Sequence, residues 1–244
     1  YATERQRELA KELAGLLGEM SGAQFDVQAG DGSAGLVLGT PEQFPAPDVG
    51  DALAVDGHDG REAYVVRTSA DRVLVLGAKD LGLDRGITRL LEELGCRWFF
   101  PSEAWHVFPQ SDRLAVDLDV ADRPAMYSRV IWWNWGPWDA RARDDYQRWQ
   151  RRNWMGGSLQ VRCGHAWQRI IRERQAQFDE HPEYLALRPA TEDAPATRGG
   201  NKFCVTNPDL VALCREFELD YFQRKPEEHM VSMEPSDGGG HCTC

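Results

Sequence analysis

The residues best suited to chemistry lie near the end of the sequence, where two carboxylates and three glycines follow a short apolar run. Residues 230–233 predict a buried strand, and Glu234 and Asp237 follow it directly. The glycines at residues 238–240 have no Cβ, so this loop can bend sharply and let a ligand approach its backbone. Barrel enzymes keep their catalytic groups at the C-terminal ends of buried strands. The pattern therefore predicts that Asp237 and Glu234 are catalytic.

Two carboxylates suit acid–base chemistry, of which the hydrolysis of glycosides is one example. One carboxylic acid protonates the leaving oxygen, and a second carboxylate acts as the nucleophile or base. With N-acetyl sugars, the acetamido oxygen of the substrate can attack instead, while a carboxylate polarises it. We expect Asp237 in one of these roles and Glu234 as its partner or as the acid. A plain Asp-Gly turn, in which Asp237 only caps the loop, is the alternative.

Aromatic and polar residues elsewhere predict a binding surface for sugars. Most of the nine tryptophans lie between residues 132 and 167. An indole can cover the apolar face of a pyranose while its N–H stays available, although an aromatic core would use the same residues. The predicted substrate-binding residues are His165, Trp167, Arg129, Trp133, Asn134 and Trp135. A histidine that caps the next helix and an arginine in a salt bridge are the alternatives for His165 and Arg129.

Composition excludes several classes of function. The net charge of 28 − 39 = −11 disfavours nucleic acid and anionic membrane surfaces as partners. No apolar run approaches the roughly 20 residues of a membrane-spanning helix. Glycines occur in Gly30-Asp-Gly32 and from Gly77 to Gly86, but no Gly-x-Gly-x-x-Gly motif follows a predicted strand, so no dinucleotide cofactor is expected. A serine nucleophile is not expected either, because the sequence lacks a Gly-x-Ser-x-Gly elbow.

The six cysteines predict neither a disulfide scaffold nor a metal site. They are too few and too scattered for the former. Cys242 and Cys244, beside His241, could form half of a zinc site, but a complete set needs four ligands. We therefore expect buried or paired thiols and no metal.

Residues 1–122 predict a small α+β sandwich domain. Leucines at helical spacing indicate a helix over residues 4–20, and a second helix is predicted over residues 86–94. Two β-branched runs around Ser69-Ala70-Asp71 predict a hairpin. The predicted strands span residues 34–38, 63–68, 72–76, 96–100 and 114–120.

From residue 123 to residue 244 the pattern changes to alternating strands and helices. Such alternation implies a parallel sheet with right-handed crossovers. Strands are predicted at residues 130–133, 159–161, 203–205 and 230–233, and helices at 144–154, 167–178 and 208–222. The fold class is therefore α/β: a sandwich domain followed by the first half of a (β/α)8 barrel. A complete doubly wound domain is the alternative.

Several motifs carry a resemblance to known families. The segment from Gly77 to Pro101, with its Leu-Gly-Cys-Arg-Trp-Phe-Phe-Pro close, resembles the N-terminal accessory domain of β-hexosaminidases and α-glucuronidases. The second half resembles domain-of-unknown-function family 4838, which is grouped with glycoside hydrolase family 163. The matching pieces are Arg152-Asn-Trp-Met155, His165-Ala-Trp167, His181-Pro-Glu-Tyr184, Phe203-Cys-Val-Thr-Asn-Pro208, Ser232-Met-Glu-Pro-Ser-Asp-Gly238 and Cys242-Thr-Cys244.

This resemblance implies a retaining glycoside hydrolase of the endo-β-N-acetylglucosaminidase kind, with an oligosaccharide or a glycoprotein glycan as its partner. The chain is then expected to be a fragment of a secreted, periplasmic or cell-surface enzyme. A carbohydrate-binding or degenerate barrel and an α-glucuronidase-like hydrolase are the alternatives.

Overall fold

The structure is a computed structural model that describes residues 1–131 and 139–244. It is a mixed α/β structure whose described residues form six α-helices and three small sheets. The chain divides into two compact units, Tyr1–Leu159 and Gln160–Cys244. The division lies later in the sequence than the domain boundary predicted after residue 122. Compactness alone does not define a domain, so that boundary stays a prediction.

A four-stranded sheet organises the first unit. Its strands are β1 (Gly35–Gly39), β2 (Tyr64–Thr68), β3 (Arg72–Gly77) and β6 (Asp119–Asp122), in the order β1-β3-β2-β6. β1 and β3 are parallel, whereas β2 is antiparallel to both β3 and β6. The predicted hairpin of β2 and β3 is confirmed.

Two helices cover one face of this sheet: α1 (Glu4–Ser21) and α2 (Asp80–Glu93). Because side chains alternate along a strand, Tyr64 and Val66 pack with the leucines of these helices. Val65 instead joins a separate cluster with Val37 and Leu53. The sandwich predicted from the sequence therefore has a buried core on both faces of its sheet.

The helix α2 begins at Asp80, earlier than the predicted residue 86. Its first two turns contain Gly82 and Gly86. Glycine weakens a helix, so the sequence pattern alone placed these turns outside it. Here the glycines permit close packing on the sheet. A Cβ on Gly82 would lie 2.1 Å from the carbonyl oxygen of Ala63, and one on Gly86 would lie 2.7 Å from Val75.

Two predicted strands of the first unit differ from the structure. The strand predicted over residues 96–100 is only β4 (Arg97–Trp98), which pairs with β5 (His106–Val107). The strand predicted over residues 114–120 forms later, as β6. Leu114 and Val116 pack against the core without joining a strand, so their hydrophobicity reflected burial rather than pairing.

The helix α3 (Ala140–Arg152) completes the first unit and starts at Asp139, whose side chain accepts a hydrogen bond from the Ala142 N–H. After it, the ring of Trp154 lies 5.7 Å from that of Tyr64, and its indole N–H donates to Glu92. These contacts explain why residues as far as 159 belong to the first unit.

The second unit contains three helices and one antiparallel strand pair. The elements are α4 (Trp167–Glu173), α5 (Gln175–Glu180), β7 (Leu185–Arg188), β8 (Thr197–Phe203) and α6 (Pro208–Arg224). Ile170, Phe178, Phe203 and Phe217 lie in its core. The predicted start of α6 is confirmed, with the Asn207 side chain accepting hydrogen bonds from two backbone N–H groups.

The strands observed in this unit differ from those that the sequence predicted. Residues 159–161 and 230–233 form no strand, and the predicted strand at 203–205 is replaced by β8, which ends at Phe203. β8 is mostly polar (Thr-Arg-Gly-Gly-Asn-Lys-Phe), so hydrophobic patterning did not reveal it. The described residues contain no closed barrel. None of their helices combines the length and apolar character that a membrane crossing demands.

Candidate functional site

Asp237 and His165, both predicted to act on the substrate, lie side by side in the second unit. His165 Nε2 is 3.2 Å from Asp237 Oδ2. His165 Nδ1 is 2.7 Å from the carbonyl oxygen of Pro235. The Asp237 side chain is 97% exposed, so its carboxylate is open to a ligand from solvent. The fold thus pairs an exposed carboxylate with an imidazole that comes from a distant part of the sequence.

Glu234 belongs to the same site and links the two segments that form it. Its carboxylate accepts a hydrogen bond from the Gly164 N–H at 2.9 Å, and its carbonyl oxygen accepts one from the Ala166 N–H at 2.9 Å. Ser232 donates from its hydroxyl to the carbonyl oxygen of Gly164 at 2.6 Å. A parallel β-bridge joins His165 and Glu234. These bonds fix one carboxylate oxygen of Glu234 and its backbone.

Trp167 borders this site, but protein groups already occupy part of the ring surface that could stack on a sugar. Its ring stacks on Phe203 at a centroid distance of 4.5 Å and an angle of 7°. The indole N–H donates to the carbonyl oxygen of Met233 at 3.0 Å. One face and the polar edge are therefore already used, and only the remaining face could meet a ligand.

Lys202 positions residues 234–240, here called the catalytic loop after the role predicted for Glu234 and Asp237, and the sequence did not single it out. The Lys202 side chain is almost fully buried. Its ammonium group donates to the carbonyl oxygen of Ser236 and, at 3.3 Å, to that of Asp237. Burying a charge is costly unless it is paired or hydrogen-bonded, but a lysine in a polar segment carries no sequence signal of its burial.

Arg129 lies in the first unit and is engaged by protein groups. It pairs with Glu62, which also accepts a hydrogen bond from Arg85 at 2.8 Å. Its guanidinium further donates to the carbonyl oxygens of Met126 and Trp154. The side chain is 9% exposed, so the geometry matches the salt-bridge alternative more closely than a sugar clamp.

The remaining predicted substrate-binding residues, Trp133, Asn134 and Trp135, lie outside the described residues. Their assignment to a sugar subsite stays a prediction.

An apolar cavity of about 440 Å³ lies beside the site within the second unit. Trp167 and Met233 line it together with residues of α6, including Leu210 and Leu219. Val205 and Val211 also line it and are more than half exposed. The second unit therefore presents an apolar surface close to the catalytic loop.

Three cysteines gather at the far end of the catalytic loop. The sulfur atoms of Cys204, Cys242 and Cys244 lie within 4.8 Å of one another. The sequence pointed to Cys242 and Cys244 only. Cys204 was missed because it directly follows β8, a polar strand that the hydrophobic pattern did not predict.

Comparison with known proteins identifies the family. No curated protein shows significant similarity to the chain. Residues 100–244, more than half of the chain, match the family model DUF4838, described as a domain of unknown function. The match includes the catalytic loop, His165 and the three clustered cysteines. The chain belongs to the DUF4838 family.

Proposed function

We propose that the chain is part of a retaining glycoside hydrolase that acts on glycans containing N-acetylglucosamine, as an endo-β-N-acetylglucosaminidase. The observation that carries this proposal is the exposed Asp237 carboxylate, which His165 contacts. The loop that bears Asp237 also bears Glu234. Two carboxylates on one exposed glycine-rich loop can act on the same sugar ring, one as the acid and the other as a charged group. The sequence resemblance to glycoside hydrolase family 163 supports the same activity.

In the first step, the acetamido oxygen of the substrate attacks the anomeric carbon. The bond to the leaving oxygen breaks, and Glu234, as the acid, gives that oxygen a proton. Asp237 accepts a hydrogen bond from the acetamido N–H and stabilises the positive charge that develops there. Water then attacks the anomeric carbon and displaces the acetamido oxygen, which regains its carbonyl bond. The water gives a proton to Glu234, and the product has the original configuration.

The hydrogen bonds of the loop suit this division of roles. The Gly164 N–H binds one oxygen of Glu234, so the proposed acid would give its proton from the other oxygen. Asp237 faces solvent and His165 orients it, so His165 is a positioning residue. Preorganised groups of this kind lower the barrier because they need no rearrangement during the reaction.

We further propose that residues 123–244 contribute to a (β/α)8 barrel. Two features of the second unit support this. The His165–Glu234 bridge is parallel, as neighbouring barrel strands are. The apolar surface at Val205, Val211 and Leu219 is more than half exposed and would be covered by further barrel elements. Because glycoprotein glycans occur outside the cytoplasm, we place the enzyme in a secreted, periplasmic or cell-surface setting.

The proposal is tested with the natural protein that contains this chain. It is incubated with an N-glycoprotein, a synthetic β-N-acetylglucosaminide and a synthetic glucuronide, and the products are identified by mass spectrometry. We expect release of a glycan that retains one N-acetylglucosamine at its reducing end. The first anomer formed, followed by proton NMR, should be β. Cleavage of the glucuronide alone, or glycan binding without release from any substrate, would reject the proposal.

A further inference from the structure

Three thiols meet at one point of the second unit although they are far apart in sequence. Cys204 follows β8, whereas Cys242 and Cys244 belong to a Cys-Thr-Cys sequence about 40 residues later. All three sulfur atoms lie within 4.8 Å of one another, and the Cys204 and Cys244 sulfurs are 3.4 Å apart. The fold, rather than local chain geometry, therefore brings Cys204 to the other two.

We infer that Cys204, Cys242 and Cys244 bind a thiophilic divalent cation, Zn²⁺. Zinc binds thiolates at about 2.3 Å with tetrahedral angles, which places ligand sulfurs about 3.8 Å apart. Three sulfurs within 4.8 Å reach this arrangement with small movements of their side chains. Soft thiolate ligands favour zinc over magnesium and calcium, which prefer oxygen.

Hydrogen bonds to the backbone hold the Cys-Thr-Cys sequence in place without a metal. The Leu187 N–H of β7 donates to Cys242 Sγ at 3.2 Å. Both the N–H and the hydroxyl of Thr243 donate to the Leu187 carbonyl oxygen, at 3.0 Å and 2.9 Å. Such supporting bonds orient metal ligands and are a recurring part of metal sites. The edge of β7 therefore presents two of the three thiols to Cys204.

Thr206 is close to two of the three thiols. Its Oγ1 lies 3.5 Å from Cys204 Sγ and 3.4 Å from Cys244 Sγ. Polar groups that contact ligand sulfurs in this way are a recurring part of metal sites.

The cluster supplies three ligands, and water or a group outside the cluster takes the fourth position of a tetrahedral zinc ion. Cys242 lies two residues after Gly240, at the end of the catalytic loop. A bound ion would therefore fasten the end of the loop that lies opposite the Glu234–Gly164 hydrogen bond. This inference does not rest on the proposed hydrolase activity, since the ligands and their geometry are independent of the substrate.

The test uses the natural protein, purified with a reductant and a slight excess of Zn²⁺ and then desalted. Elemental analysis should find about one zinc per chain, as expected for a single three-thiolate site. Replacement by Co²⁺ should give the visible bands of tetrahedral coordination and a sulfur-to-cobalt charge-transfer band. Both signals should disappear in the double variant Cys242→Ser/Cys244→Ser. They should persist in Cys163→Ser, whose cysteine is exposed and lies outside the cluster.

The double variant leaves the buried Cys204 in place, which limits the risk of misfolding. A second readout is independent of that variant: in the unmodified protein, a chelator should increase the number of thiols that react rapidly with a thiol reagent. Less than about a tenth of an equivalent of zinc in the reduced protein would overturn the inference, given how tightly structural thiolate sites bind. Zinc retained in the double variant, or a Cys204–Cys244 disulfide that persists under reductant, would overturn it as well.

Discussion

His165 Nε2 lies 3.2 Å from the carboxylate of Asp237. The other ring nitrogen lies 2.7 Å from the carbonyl oxygen of Pro235, which can only accept a hydrogen bond. A hydrogen bond to this oxygen places a proton on Nδ1, and Nε2 then faces the Asp237 carboxylate. His165 thus joins its own segment to two points of the catalytic loop, the Pro235 carbonyl and the exposed carboxylate of Asp237.

Replacing Arg129 should reduce stability rather than glycan binding. Arg129→Met removes a partner of the buried Glu62 and the donor to two carbonyl oxygens, so it should cost about 3 kcal/mol in the free energy of unfolding. Denaturant unfolding measures this loss. Arg143→Met, an exposed change in α3, should stay within about 0.5 kcal/mol. A stable Arg129→Met variant with weakened glycan affinity would instead support the sugar clamp predicted from the sequence.

Lys202 should stabilise the catalytic loop. Lys202→Met keeps the length of the side chain but leaves the carbonyl oxygens of Ser236 and Asp237 without their donor. We expect a loss of about 1–3 kcal/mol, the cost of unsatisfied buried polar groups. Amide hydrogen exchange in residues 234–240 should become faster. The exposed Lys225→Met is the control, and equal exchange in the two variants would show that Lys202 does not hold the loop.

Glu12 should make the first unit sensitive to acid. Burial alone would raise its pKa, but Arg152 and Arg151 outweigh this effect and lower the pKa from 4.5 to about 2. A carboxylate with a depressed pKa in the folded state stabilises the fold above its unfolded pKa, and this contribution is lost as the pH falls through the folded value. The difference corresponds to about 3 kcal/mol at neutral pH.

Unfolding free energies measured from pH 7 to pH 2 check this prediction. Glu12→Gln should be less stable at pH 7 and should lose less stability than the wild type between pH 4.5 and pH 2. The exposed Glu19→Gln, on the same helix, should follow the wild-type curve. If the unfolding free energies of Glu12→Gln and the wild type changed equally with pH, the lowered pKa of Glu12 would be contradicted.

The sequence predicted some parts of this structure well because their signals are local. The leucine spacing of α1, the hairpin of β2 and β3, and the Asn207 cap of α6 all depend on neighbouring residues. β8 was missed because a polar strand carries no hydrophobic alternation. The extension of the first unit through Trp154 depends on a contact with Tyr64, which no local pattern can reveal.

The same distinction applies to the candidate site. Asp237, Glu234 and His165 were identified individually by residue type and position. Their meeting depends on hydrogen bonds between segments 70 residues apart, such as that from Gly164 to Glu234. Lys202 and Cys204 were missed for the related reason that their importance depends on burial and on distant partners.

The most direct test of the proposed function is the turnover of an N-acetylglucosamine-containing glycan by the natural protein and its Asp237→Asn variant. The change removes the charge but keeps the shape of an almost fully exposed side chain, so stability should not change. We predict that kcat falls by about 10²–10⁴-fold, the usual effect of removing a catalytic carboxylate. Asp193→Asn, an exposed aspartate between β7 and β8, should keep full activity. Equal turnover by the wild type and Asp237→Asn would contradict the placement of the active site in this loop.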